Sequence, residues 1–447
     1  MKDLLRTTAD RAARYLASLQ DRSVAPTPDA LANLARLDEP FPERPTDAAQ
    51  VIALLDEIGS PATMASAGGR FFGFVVGGSL PATVAASSLA AAWDQNAGIV
   101  ALSPIAARLE EVAMRWLLDV LGLPPAAGVG FVTCATQANF SGLAAARHAL
   151  LARRGWNVET RGLFGAPPIT VVVSEEVHVS VLKALTLVGL GRERVIRVPV
   201  DGQGRMRADA LPPLDDNTLV CLQAGNVNTG AFDPADEIMP RAKAAGAWVH
   251  VDGAFGLWAA AAPHRAHLVQ GYAAADSWAI DAHKWLNVPY DSGIVIVRDA
   301  RDLYAAMAVN APYLVIGETR EPEHYTPEFS RRARGIEVWA ALRSLGRQGL
   351  ADLIERTCRH AREAGYEILN DVVINQVLVS FGDAELTRRV IAGVQADGTC
   401  WAGGTVWQGR TAMRISVSSW ATTEDDVERS LAAMLRVAAE AQATVAP

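Results

Sequence analysis

The apolar positions of this chain fall into two alternating patterns. Short unbroken apolar runs occupy residues 129–133, 169–174, 195–200, 219–223, 248–252, 277–280 and 294–297, and most are separated by stretches whose apolar residues recur every three or four positions. Unbroken runs of that length fit strands covered on both faces, and the wider spacing fits helices that bury one side. Their alternation predicts an α/β fold with a mainly parallel sheet flanked by helices. Ligands of such sheets bind beyond the carboxyl ends of the strands.

Polar and proline positions place the remaining elements. Ser103-Pro104 opens a helix in which Ile105, Leu109, Val112, Trp116 and Val120 share a face, and a second helix is expected over 140–154 after a loop at 133–139. Residues 1–60 read as a helical arm: a first helix striped by Leu4, Leu5, Tyr15, Leu16 and Leu19, a proline-rich connection, and a helix over 47–58 with Thr46 as its N-cap. Such an arm has too little core to stand alone and is expected to pack on the rest of the chain or on a second subunit. A large domain follows over 61–310, then a polar, proline-punctuated mobile loop over 311–330. Residues 331–447 predict a small C-terminal α+β domain, with helices at 334–345 and 350–368, strands at 373–381, 399–406 and 412–417, and a last helix opening at Thr422.

Composition narrows the function classes. The 41 basic against 49 acidic side chains leave a net charge of −8, which offers no electrostatic footprint for nucleic acid or an anionic membrane. Cys134, Cys221, Cys358 and Cys400 are far apart and form no Cys-x-x-Cys pair, as in a reduced protein without a disulfide framework. The N-terminus is charged where a signal peptide is apolar, and no run reaches the roughly eighteen apolar residues of a membrane span. These features predict a cytoplasmic protein acting on a small molecule.

Candidate chemistry centres on Lys284, set between the apolar runs 277–280 and 294–297. Burying an ammonium is costly unless it is paired or covalently used. The run 248–252 delivers a second charged residue, Asp252, to its end. A buried lysine, an acid at a neighbouring strand end and small residues able to cradle a phosphate match the needs of pyridoxal 5'-phosphate, which takes a lysine at its aldehyde carbon and an acid at its ring nitrogen. The simpler readings are a turn acid after a strand and a surface lysine. A zinc site built from His250, Asp252, His178 and His283 matches no metal spacing.

Five segments occur in order: Ser103-Pro104 with Leu109-Glu110, the loop from Thr133 to Asn139, Ser174-Glu175-Glu176-Val177-His178, the turn from Ala224 to Gly230, and the pair His250-Val251-Asp252-Gly253-Ala254 and Asp281-Ala282-His283-Lys284-Trp285. Together they resemble the pyridoxal-phosphate-dependent decarboxylases related to aromatic amino acid and glutamate decarboxylases, of the aspartate-aminotransferase (type I) fold. The resemblance implies that Lys284 is the Schiff-base lysine, that His283 is a phosphate ligand, that Asp252 pairs with the ring nitrogen and that Ala254 packs under the ring. It makes His178 the stacking and catalytic histidine. Ala135 and Thr136 become phosphate-binding residues at a helix start, and Asn226 a partner of the phenolic oxygen; the simpler readings of those segments are a capped helix start and ordinary turn chemistry.

Two departures qualify the resemblance. Asp281 stands where Asn or Ser is common; because a carboxylate repels a phosphate, it is expected to turn away or to reach the phosphate only through a donor. The 310–330 loop lacks the usual surroundings of the tyrosine that protonates the substrate carbon, leaving Tyr325 as first candidate and Tyr313 as second. Arg414 is read as structural. Phe72, Phe74, Val100 and Leu102 hint at an apolar pocket or at plain core. The activity implied is decarboxylation of an L-amino acid by a homodimer with shared active sites, to which the partner contributes the segment 94–104. An aldehyde synthase or oxidative deaminase, an aminotransferase and a carbon–carbon lyase remain open on the same scaffold.

Overall fold

The structure, a computed structural model, describes residues 1–309, 320–360 and 366–443. The chain divides into two compact units: Ser79–Arg362 with Asn370–Val377, and Met1–Gly78 with Glu363–Leu369 and Leu378–Pro447.

The larger unit is built on a seven-stranded sheet in the order β1-β7-β6-β5-β4-β2-β3. Its strands are β1 (Gly128–Val132), β2 (Thr170–Ser174), β3 (Ile196–Val198), β4 (Thr218–Gln223), β5 (Trp248–Asp252), β6 (Ser277–Asp281) and β7 (Gly293–Val297). From β3 to β6 every neighbour is parallel, while β7 runs antiparallel to both β6 and β1. The sheet is therefore mostly parallel, as the apolar runs predict. Every residue of β1, β4, β5, β6 and β7 is buried, so the strands carry uninterrupted apolar sequence instead of alternation. On one face the helix Ala135–Ala152 packs Leu143, Ala146 and Leu150 against Val132, Val173 and Val295. Its many alanines let helix and sheet approach closely.

This topology fixes where a site can form. Strands β1, β2, β4, β5 and β6 all end at the same edge, since two antiparallel pairings restore β1 to the direction of β6. Residues after those five ends converge there.

The smaller unit carries a four-stranded sheet in the order β10-β11-β9-β8, from β8 (Glu367–Ile368), β9 (Gln376–Ser380), β10 (Gly403–Trp407) and β11 (Arg410–Ser416). Its N-terminal helix Lys2–Ser18 buries none of its own residues, and Leu5 and Leu16 stay exposed. Phe71 and Phe74 stack on Trp401 at centroid distances of 5.2 and 5.5 Å.

Several boundaries differ from the sequence reading. Asp47, not Thr46, caps the helix Ala48–Leu54: its carboxylate accepts from the N–H groups of Ala49 and Gln50, a stronger cap than a hydroxyl. The helix expected from 140 begins at Ala135, because the small residues of the preceding loop take up its first turn. Gly346, at φ +60°, breaks the helix Gly335–His360, which belongs to the larger unit, and Ile368 is in strand β8 instead of a helix. Among the described residues no helix is long and apolar enough to cross a membrane.

Candidate active site

Strand β5 ends in Asp252, 5 % exposed. Its Oδ1 accepts from the Ala254 N–H at 3.2 Å, and its Oδ2 accepts from the Asn139 amide at 3.3 Å and lies 3.4 Å from the Ser180 hydroxyl. Every one of these partners is neutral. No lysine or arginine pairs with this buried carboxylate among the described residues, although a lone interior charge is costly.

Strand β6 ends one position over, with the Asp281 N–H donating to the Ala254 carbonyl at 2.9 Å. The Asp281 carboxylate, 3 % exposed, has opposite surroundings. Lys284 Nζ lies 3.0 Å from its Oδ2 and His283 Nε2 3.5 Å from its Oδ1. The Ala135 N–H, at the start of the helix Ala135–Ala152, donates to the same Oδ1 at 2.5 Å. Of the two arrangements expected for Asp281, turned away or meeting the site through a donor, the structure has the carboxylate on the Ala135 N–H and Lys284: an ammonium and a helix N-terminus attract a carboxylate.

Lys284 is one of four lysines in the chain, with Lys2, Lys183 and Lys243. Lys2 and Lys183 are exposed, and Lys243 pairs with Asp276 on the outer side of the sheet unit at 2.6 Å. Only Lys284 stands at the convergent strand ends, its side chain 20 % exposed. His283 beside it accepts the Ser292 N–H on Nδ1 at 3.1 Å and stacks on Tyr290 at 4.2 Å. Burial pushes its imidazole below the usual histidine range, with the Lys284 charge adding to that and Asp281 opposing it.

The remaining candidates occupy the same edge. His178 caps the helix Val179–Leu187, with Nδ1 2.7 Å from the Ser180 hydroxyl. Ser180 in turn joins it to Asp252. Ala135 and Thr136 form the first turn of the long helix, with Ala135 buried and Thr136 half-buried. Asn226, 2 % exposed, accepts from the Asn228 and Thr229 N–H groups through Oδ1, and its Nδ2 is buried without a partner. Ala254 follows Gly253, where a Cβ would meet Leu257 at 2.7 Å.

Tyr325 is not brought to Lys284. It closes the turn Pro322–Tyr325, its ring lies under Arg320 at 4.2 Å and edge-on to Tyr304 at 6.3 Å, and its carbonyl sits against Gly130 in the middle of β1. The physical reason is a local aromatic and cationic cluster that holds the ring by the sheet face. Tyr313 lies outside the described residues. Arg414 is on β11 of the smaller unit, with Phe72 and Phe74, while Val100 and Leu102 belong to the larger one.

Residues 29–381 match the model of the pyridoxal-dependent decarboxylase conserved domain. The chain belongs to that family. An L-2,4-diaminobutyrate decarboxylase of Rhizobium meliloti is 28% identical over 377 residues, covering 78% of this chain and 72% of that protein. Among solved structures, Oryza sativa TDC with PLP and tryptamine aligns at a TM-score of 0.89 and 22% identity over 98% of this chain and 97% of the other. The Rhodiola rosea 4-hydroxyphenylacetaldehyde synthase aligns at 0.84 and 21% over 99% and 97%. The fold is that of type I pyridoxal phosphate decarboxylases.

Pyridoxal phosphate is the cofactor of the family, and three features of this chain fit it: a buried carboxylate with no cation, an orphaned amide donor at Asn226, and a single lysine at the strand ends. Asp281 alone works against an anion here, because it already holds the Ala135 N–H.

Four residues of this site were not singled out for it from sequence: Asn139, Ser180 and Ser277, and His250 outside the dismissed zinc reading. A signal existed for two of them. Asn139 follows Ala135 by one helical turn, and His250 precedes Asp252 by two strand positions and shares its face.

Proposed function

We propose that this chain decarboxylates an L-amino acid to the corresponding amine and CO2. The observation that supports this most is the presence at one edge of the sheet of Lys284, alone among the lysines at the strand ends, and of Asp252, a buried acid that has no cation of its own among the described residues. When bound, pyridoxal phosphate supplies a sink for the electron pair left as the bond from Cα to the carboxylate breaks.

The side chains then divide the work. Lys284 would hold the cofactor at its aldehyde carbon. Asp252 would pair with the ring nitrogen, Asn226 Nδ2 would donate to the phenolic oxygen, and His178 would cover the ring. Thr136 and the N–H groups of the first helical turn, with His283, receive the phosphate. Ala254 packs beneath the ring. Tyr325 is held by Arg320 and Tyr304, and His178, joined to Asp252 through Ser180, would carry the proton to Cα. A homodimer with shared sites, to which the partner contributes residues 94–104, completes the proposal.

The placement of Tyr325 favours one second reading, in which the substrate, dioxygen and water give an aldehyde, CO2, ammonia and hydrogen peroxide. Assaying CO2, amine, aldehyde, peroxide and keto acid across the common amino acids separates the two. Stoichiometric amine and CO2 without peroxide is the expected result; keto acid with no CO2 release would overturn both readings.

A further inference from the structure

A chain of hydrogen bonds runs from the back of Asp252 into the core. Trp248 Nε1 donates to the Ser277 hydroxyl at 2.9 Å, Ser277 Oγ lies 2.8 Å from His250 Nδ1, and His250 Nε2 lies 2.8 Å from Asn139 Oδ1. Asn139 Nδ2 then donates to Asp252 Oδ2 at 3.3 Å. His250, Asn139 and Ser277 are all 0 % exposed.

Proton bookkeeping along this chain has one low-energy solution. An indole N–H only donates, so Ser277 accepts from Trp248 and has its own proton free for His250 Nδ1. Burial keeps the imidazole neutral, pushing it down to about 4 against the weaker opposite pull of Asp252. Its single proton is therefore on Nε2, facing the Asn139 carbonyl oxygen. That contact sets the amide with its N–H toward Asp252. The reverse assignment, with His250 donating to Ser277 and the Asn139 amide flipped, would press an amide oxygen against a buried carboxylate. Gly142 leaves room for this arrangement, since a Cβ there would meet His250 Cε1 at 2.8 Å.

We infer that His250, through Ser277 on one side and Asn139 on the other, is a positioning residue that locks one N–H donor onto Asp252 and so holds its carboxylate aimed at the cofactor's ring nitrogen. The inference rests on the reading of Asp252 as the ring-nitrogen partner. The lock uses neutral donors only, which steady the negative charge without cancelling it. A lysine or arginine in Asn139's place would satisfy Asp252 and leave nothing for the ring.

The test reads the ring nitrogen directly. Holoenzyme is reconstituted with pyridoxal phosphate labelled with nitrogen-15, and the ring resonance is recorded by solid-state NMR for the parent, His250→Phe, Asn139→Leu and Asp252→Asn. The parent is expected to show a protonated ring nitrogen. In His250→Phe and Asn139→Leu the signal moves toward the unprotonated position while the cofactor stays bound, and kcat falls about tenfold with KM within about twofold, the scale of one hydrogen bond to a charged group. A protonated signal and parental kcat in both variants would overturn the inference while leaving the Asp252 reading intact, provided Asp252→Asn loses the signal. A protonated signal retained in Asp252→Asn would overturn that reading and the inference with it. Should His250→Phe not fold, Asn139→Leu and Ser277→Ala carry the same readout.

Discussion

Asp252 and Asp281 end neighbouring parallel strands, are buried to the same degree, and are treated oppositely by the chain. Asp252 is held by an amide, a hydroxyl and a backbone N–H, all neutral. Asp281 is held by an ammonium, an imidazole and a helix N-terminus. A buried carboxylate stabilised by dipoles alone keeps its full charge for a cation that arrives from outside. One that already has an ammonium is satisfied, and here it also stands on the N–H group an incoming phosphate needs. The pair teaches that burial of an acid does not by itself mark a cofactor site; the absence of an internal cation does.

Substitutions at the two positions should therefore diverge. Asp252→Asn keeps the shape and removes the charge, and kcat is expected to fall by two to three orders of magnitude, as when one preorganised electrostatic partner is deleted from an active site. A loss under about tenfold would mean that the two acids are equivalent after all.

A second contrast lies in pH. In the unfolded chain His250 has its ordinary value of 6.5, and in the fold burial pushes it to about 4. Between those values the unfolded state binds a proton that the folded state refuses, so this contribution is fully present above 6.5 and is lost as pH falls through the window, by about 3 kcal/mol at most. Asp233, raised by burial to about 6, acts in the opposite direction, losing its contribution as pH rises through that value. The measurement is accordingly a difference: denaturant unfolding from pH 7 to 4 should show a shallower decline in His250→Phe than in the parent. Parallel curves would count against a neutral His250 behind Asp252.

The smallest effect is expected at the other acid. Asp281→Asn removes a carboxylate from the phosphate's position, and pyridoxal phosphate should bind about fivefold more tightly in equilibrium dialysis, a modest gain because Lys284 is freed at the same time. Weaker binding would show that Asp281 serves the phosphate through a bridging donor.

How much of this was legible in sequence follows from what each residue's neighbours do. Strands β1, β4, β5, β6 and β7 were readable because both faces are covered, so their apolar runs are long and bounded by polar residues. Lys284, Asp252 and His178 were readable for the same reason. The direction of the Asp281 side chain was not, since it depends on the Ala135 N–H, which lies 146 residues away in sequence. Nor was the position of Tyr325, which is set by Arg320, Tyr304 and the missing side chain of Gly130. The Asn139–His250–Ser277 chain joins three elements and has no local pattern beyond the shared face of His250 and Asp252.

The central claim is that Lys284 carries the cofactor, and four lysines make it simple to test. Holoenzyme is reduced with borohydride, digested and mapped by mass spectrometry for a phosphopyridoxyl adduct. The account predicts the adduct on Lys284 alone and none in Lys284→Ala; an adduct on Lys2, Lys183 or Lys243, or no adduct in the parent, would contradict it.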